Sequence, residues 1–151
     1  LYNTHSSKKL RSMAKKYNNF SVGNQITKKN DAYTSWTNDL LRKLIASKTA
    51  INPGQSTGGH RLVESEVVFV FLSGFGEVEI IEYSNHEAGH GNNPSFGIEH
   101  KEDIVVISGD ILLAEEGDFI KIRNTHQYEQ LSYLRIFDKE GWRIEDRESS
   151  P

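Results

Sequence analysis

The sequence contains no cysteine. That excludes disulfides, thiolate metal knuckles and cysteine nucleophiles, and it agrees with a reducing compartment, so a cytoplasmic location is expected. There is no apolar run of the roughly 20 residues that a membrane-spanning helix needs, so no membrane partner is expected. The first thirty residues lack the apolar core of a signal peptide, and no export signal is expected. Acid is also missing locally. Leu1 to Asn30 carries Lys8, Lys9, Arg11, Lys15, Lys16, Lys28 and Lys29 but no carboxylate before Asp31, in a chain whose net charge is -3. The remainder is therefore acidic on balance. Such an arm can meet an external polyanion or dock on protein. No aromatic ladder or helix-turn-helix pattern accompanies the charge, which argues against nucleic acid. Leu10, Met13, Ala14 and Tyr17 recur at helical spacing, so a short helix with an apolar stripe fits the arm.

The 151 residues suit one compact domain able to bury a core unaided. From Ser47 onward the pattern is all-β. Short apolar runs stand at Thr49–Ile51, Val67–Leu72, Val78–Tyr83, Ile104–Ile107, Ile111–Leu113, Phe119–Ile122 and Leu131–Phe137. Turn formers part them at Asn52-Pro53-Gly54, Ser73-Gly74, Ser108-Gly109-Asp110 and Glu116-Gly117-Asp118. Many short strands with close turns predict a sandwich or barrel. Val67 to Leu72 has no polar alternation, which predicts a central strand buried on both faces. Asp39 to Ile45 fits a helix or a strand. Ser84 to Asp103, rich in Gly, Asn and Pro, reads as a long surface loop. Within it, His86-Glu87-Ala88-Gly89-His90 formally matches a zinc-protease pattern, which requires a helix. Gly89, Gly91, Asn92, Asn93 and Pro94 forbid one, so no structural zinc is expected there, and the loop with His86, His90 and His100 suits a lid. Trp142 and Ile144 are the apolar residues of a polar tail and suit pinning it to the barrel. The chain thus divides into a basic arm (1–38), a barrel (39–138) and a tail (139–151).

Pro53 to Ile80 resembles the first signature of the cupin superfamily: Gly, five residues, His, one residue, His, three or four residues, Glu, six residues, Gly. Gly54 and His60 match it, Leu62 stands at the second His, and Glu66 falls at the Glu. Gly74 comes one residue late. GDFIKIRNTHQYEQ is similar to the second signature, with Gly117-Asp118 opening it and His126 as its His. Arg123 replaces the usual Pro, the second Gly is absent, and Gln130 stands in place of Asn. The two stretches with the loop between them cover about half the chain. The resemblance implies an all-β, double-stranded β-helix, a jelly-roll-like barrel with a pocket at one end.

Complete cupin sites usually hold a divalent metal on His, His, Glu and His. The resemblance leaves His60, Glu66 and His126 as metal ligands here, a set that suits Fe, Mn, Zn or Ni. His60, Leu62, Glu64 and Glu66 share strand parity, so a regular strand would project all four on one face. Without a metal, His126 and His60 fit as general base and acid with Tyr128 or Glu66 as partner, as in metal-free cupins that isomerise or epimerise sugars. Leu62 equally fits an eroded site. Two classes of function follow. One is an enzyme acting on a small polar molecule: a sugar or sugar-phosphate isomerase or epimerase, or a metal-dependent lyase or oxygenase. The sugar rests on a faint likeness of Ser35-Trp36-Thr37-Asn38 through Gly54 to the cupin domains of sugar-phosphate isomerases. The other is a non-catalytic binding or assembly cupin. Cupin barrels commonly dimerise, so a homodimer is implied, with the arm before Asp31 as the exchanged element.

Overall fold

The fold comes from a computed structural model, which describes residues 14–23, 27–61, 66–83 and 98–140. Ten strands form in chain order: β1 (Lys28–Lys29), β2 (Tyr33–Asn38), β3 (Leu44–Ile51), β4 (His60–Arg61), β5 (Val67–Ser73), β6 (Phe75–Tyr83), β7 (Ile98–Ile107), β8 (Ile111–Ala114), β9 (Phe119–Asn124) and β10 (Leu131–Asp138). They build two antiparallel sheets, a six-stranded one in the order β1-β2-β3-β10-β5-β8 and a four-stranded one in the order β4-β9-β6-β7. The chain passes from sheet to sheet at β3–β4, β4–β5, β5–β6, β7–β8, β8–β9 and β9–β10, so the layers share one core.

Strand alternation makes that core. Val67, Phe69 and Phe71 of β5, Val78 of β6, Ile120 and Ile122 of β9, and Leu131, Tyr133 and Phe137 of β10 are all buried. Phe69, Phe71 and Tyr133 pack ring on ring, with centroids 5.4 to 6.5 Å apart, in the middle of the six-stranded sheet's inner face. At the tight turns, Asp110 accepts the Ile107 N–H at 2.8 Å and Asp118 accepts the Glu115 N–H at 3.0 Å. These bonds satisfy the amides that the turn leaves exposed.

Four expectations change. Ser84 to Asp103 is not loop throughout, because β7 begins at Ile98 and pairs along β6 from Tyr83 to Phe75. Asp39 to Ile45 is a bend that becomes strand only at Leu44. The arm does not end at residue 38: β1 and β2 are already strands of the large sheet, held on β3 from Tyr33↔Ile51 to Asn38↔Ala46. Finally, β5 is buried on one face only. Val68 and Val70 are half-buried and Leu72 is 41% exposed. Leu62, Glu64, the segment His86 to His90, Leu10, Met13, Trp142 and Ile144 lie outside the described residues. Among the described residues, no helix is long and apolar enough to cross a membrane.

Candidate functional site

His60 sits on β4 opposite Ile120 of β9. Residues directly opposite in a ladder share a face, and Ile120 is buried, so His60 faces the interior. Its ring is half-buried and its Nδ1 is shielded from solvent. The same row continues through Ile80 to Glu102 of β7. His100, two residues before Glu102, approaches it with Nε2 3.5 Å from Oε1, and both side chains are more than half exposed. One end of the small sheet thus turns from apolar to polar on its inner row. Sequence reasoning missed Glu102 because it reads as loop rather than as a strand position in phase with Ile104 and Val106.

Glu66 faces the other way. It is exposed, just ahead of β5, on a groove outside the large sheet with Glu115 and Glu116. The next residue, Val67, is 2% exposed and points into the core. The late Gly74 explains this. Counted back seven residues from Gly74, the signature's Glu position is Val67, and alternation sends its neighbour outward.

His126 lies in the turn between β9 and β10. That turn is at the Ser73 end of β5, since Ser132 pairs with Ser73 whereas Phe137 pairs with Val67. The length of β5, about 20 Å, therefore separates His126 from Glu66. His126 braces its turn: its Nδ1 accepts the N–H groups of Tyr128 at 2.9 Å and Glu129 at 3.1 Å. This network assigns the ring proton to Nε2. The ring packs on Phe75, with centroids 4.7 Å apart. Tyr128 meets it edge-on at 6.2 Å but is 82% exposed. Asn124 completes the brace. Buried to 1% exposure, it accepts the His126 N–H at 2.9 Å and donates to the carbonyls of Ile51 at 2.9 Å and Glu129 at 2.7 Å.

The expected convergence of His60, Glu66 and His126 therefore does not hold. One lies on the inner row of the small sheet, one outside the large sheet, and one in a turn at the opposite end of β5. Among the described residues, no three His, Asp or Glu side chains come together to hold a metal. The described residues do not fit the Fe, Mn, Zn or Ni site that the resemblance implied. The acid-base set His126, Tyr128 and His60 is divided in the same way.

Two surfaces remain. The middle of the small sheet's outer face is charged, since Arg123 pairs with Glu77 and Lys101 with Glu79 at 3.0 Å, with Asp103 and Lys121 beside them, while Val105 and Ile107 on its β7 edge are 69% and 55% exposed. The hydrogen bond and charge of Glu79 raise the Lys101 ammonium above its ordinary value. Such exposed, mutually paired charges describe a solvated face. The outer face of the large sheet is instead apolar. The register sets Leu113, Val68, Ile136 and Ala46 in one row and Ile111, Val70, Leu134 and Lys48 in the next. Ile111 is 63% exposed, Leu113 71% and Ile136 37%.

No family model matches the chain, and no curated protein matches it. Solved structures do. A Lactobacillus farciminis oxalate decarboxylase in a formate complex superposes with a TM-score of 0.59 at 18% identity over 83% of this chain, which spans only 35% of that protein. The Schizosaccharomyces pombe Cnp3 cupin domain gives 0.55 at 10% identity, covering 85% of this chain and 78% of that one. KdgF from Halomonas sp. gives 0.54 at 12% identity, covering 80% and 94%. At such identities the likeness shows the fold alone, and that fold is the cupin barrel of these structures.

Proposed function

We propose that this chain is a non-catalytic assembly cupin that forms a homodimer through the outer face of its six-stranded sheet. The observation that supports this is β5. Every residue from Val67 to Leu72 is apolar, a pattern that belongs to strands covered on both sides, yet Val67, Phe69 and Phe71 are buried while Val68 and Val70 are only half-buried and Leu72 is exposed. Among the described residues no second layer covers the Val68 and Val70 side, and a second copy would supply it with the same apolar chemistry. Four strands at about 4.8 Å spacing and the four-residue length of β8 at about 3.3 Å per residue give the patch roughly 250 Å² in projection. A contiguous apolar patch of this order, rimmed by polar residues, is often functional.

Sedimentation of the wild-type chain and of Val70→Lys and Leu134→Lys across a dilution series tests this. The expected result is a wild-type dimer and variants that are folded monomers by circular dichroism. A monomeric wild type at high micromolar concentration would reject the dimer, and unchanged variant dimers would reject the face.

A second reading, binding of a small polar molecule, draws on His60 and Glu102 of the small sheet's inner row. A sugar, sugar phosphate or organic acid suits an imidazole and a carboxylate at the two ends of one inner row, with Ile120 and Ile80 between them. Thermal shift with sugar phosphates and dicarboxylic acids, compared between wild type and His60→Ala, separates it. Isomerase, epimerase, lyase or oxygenase chemistry has weaker support, because the residues anticipated to share the work stand apart.

A further inference from the structure

The Leu44–Asp138 end of the apolar face differs from the rest of it. Here Leu44, Val68, Leu113 and Ile136 wall a groove of about 640 Å³. Four carboxylates, Glu66, Glu115, Glu116 and Asp138, stand among them. An apolar trough with an acidic rim suits a segment that alternates cations with large apolar side chains.

We infer that this groove receives the basic N-terminal arm of a second copy of this chain, an inference that rests on the proposed dimer. The arm has the matching chemistry: Leu10, Met13 and Tyr17 among Lys8, Lys9, Arg11, Lys15 and Lys16, with no acid. It is not spent on its own barrel where it is described, since Ala14 to Asn19 stand exposed and Tyr17 is 45% exposed. The groove is continuous with the proposed interface, because Val68, Leu113 and Ile136 belong to both.

The position of the arm also fits. Val22 bridges to Asn38, and the row from Asn38 runs through Ala46, Ile136 and Val68 to Leu113. The arm thus leaves the sheet at one end of the row whose other end is the groove. A two-fold axis parallel to the strands reverses strand order while preserving strand direction. It would bring the exit point of one arm above the groove of the other copy. Counting back from Val22 to Tyr17 and Leu10, the extended chain reaches about 17 to 40 Å, ample for the groove. The tail beyond Glu140 starts closer, but Glu145, Asp146 and Glu148 outnumber Arg143 and Arg147 there. Its sign is wrong for an acidic rim.

The absence of native cysteine allows a direct test in the full chain. Met13→Cys combined with Leu113→Cys is expected to oxidise to a disulfide-linked dimer at least tenfold faster than either single variant. Glu115→Lys with Glu116→Lys should weaken the dimer about tenfold at low salt, and adding Lys8→Glu with Lys9→Glu should restore it, since opposed charges are exchanged rather than removed. An intrachain disulfide would place the arm on its own barrel and overturn the inference. So would a Trp142→Cys link to Leu113→Cys in place of the Met13 link. A dimer that persists with no Met13 link and ignores both reversals defeats the arm alone. A chain that is monomeric at every concentration defeats the dimer reading beneath it.

Discussion

Asn124 and His126 hold the β9–β10 turn from inside, and the two should differ in what their loss costs. Removing the Asn124 carboxamide orphans the Ile51 and Glu129 carbonyls and the His126 N–H together. Asn124→Ala should therefore cost about 2–4 kcal/mol in urea unfolding, and His126→Ala about 1 kcal/mol, since the two N–H groups it frees are near solvent. A His126 variant less stable than the Asn124 variant would mean that the histidine does more than brace a turn. Positions 66 and 67 make a second contrast. Val67→Glu puts an unpaired charge into the core and should cost at least about 3 kcal/mol, whereas Glu66→Gln on the surface should cost about 1 kcal/mol or less. Equal effects would contradict the strand parity argued for β5. The sequence pointed to His60, Glu66 and His126 by residue type and spacing alone. It could not show that one extra residue before Gly74 turns Glu66 outward, or that backbone amides already occupy Nδ1 of His126.

Among the elements, hairpins were legible because their turn chemistry is local. Gly74 has φ of 85°, and a Cβ there would lie 2.5 Å from the Gln130 carbonyl oxygen. Gly109 has φ of 95° with open space around it. Both pay for an αL backbone on substitution, but only Gly74 also meets a clash. Gly74→Ala should thus lower the melting temperature clearly more than Gly109→Ala, and equal shifts would show that the β5–β6 turn relaxes away from β10. The missed strand β2 reads Tyr-Thr-Ser-Trp-Thr-Asn, with no apolar alternation to reveal it. Its inward Ser35 and Thr37 instead meet hydroxyls of the buried Thr49 at 2.8 Å and Ser47 at 3.5 Å. A strand that buries hydroxyls against hydroxyls is invisible to a search for hydrophobic period.

At the scale of the molecule, a barrel whose inner face is filled by Phe69, Phe71 and Tyr133 leaves its apolar surplus on the outside. The divided donor set of His60, Glu66 and His126 predicts a specific indifference: tenfold excess Mn²⁺, Fe²⁺, Zn²⁺ or Ni²⁺ should move the melting temperature by no more than about 1 °C, whereas tight binding to the folded state would raise it by several degrees. Such a rise would mean that ligands meet after all. The all-β class, most of the strands and the hairpin turns were determined by the sequence alone, because each depends on residues a few positions apart: alternation, a Gly at positive φ, an Asp capping its own turn. The sequence also marked Val67 to Leu72 as a strand wanting cover on both faces. Only the tertiary structure decided that one face goes uncovered by the described residues, that His60 and His126 belong to different ends, and that Glu66, Glu115, Glu116 and Asp138 gather around an apolar groove. Those outcomes depend on register between residues far apart in the chain, as in His60↔Ile120, Phe137↔Val67 and Ile136↔Ala46, and a one-residue shift in register reverses every side chain it carries.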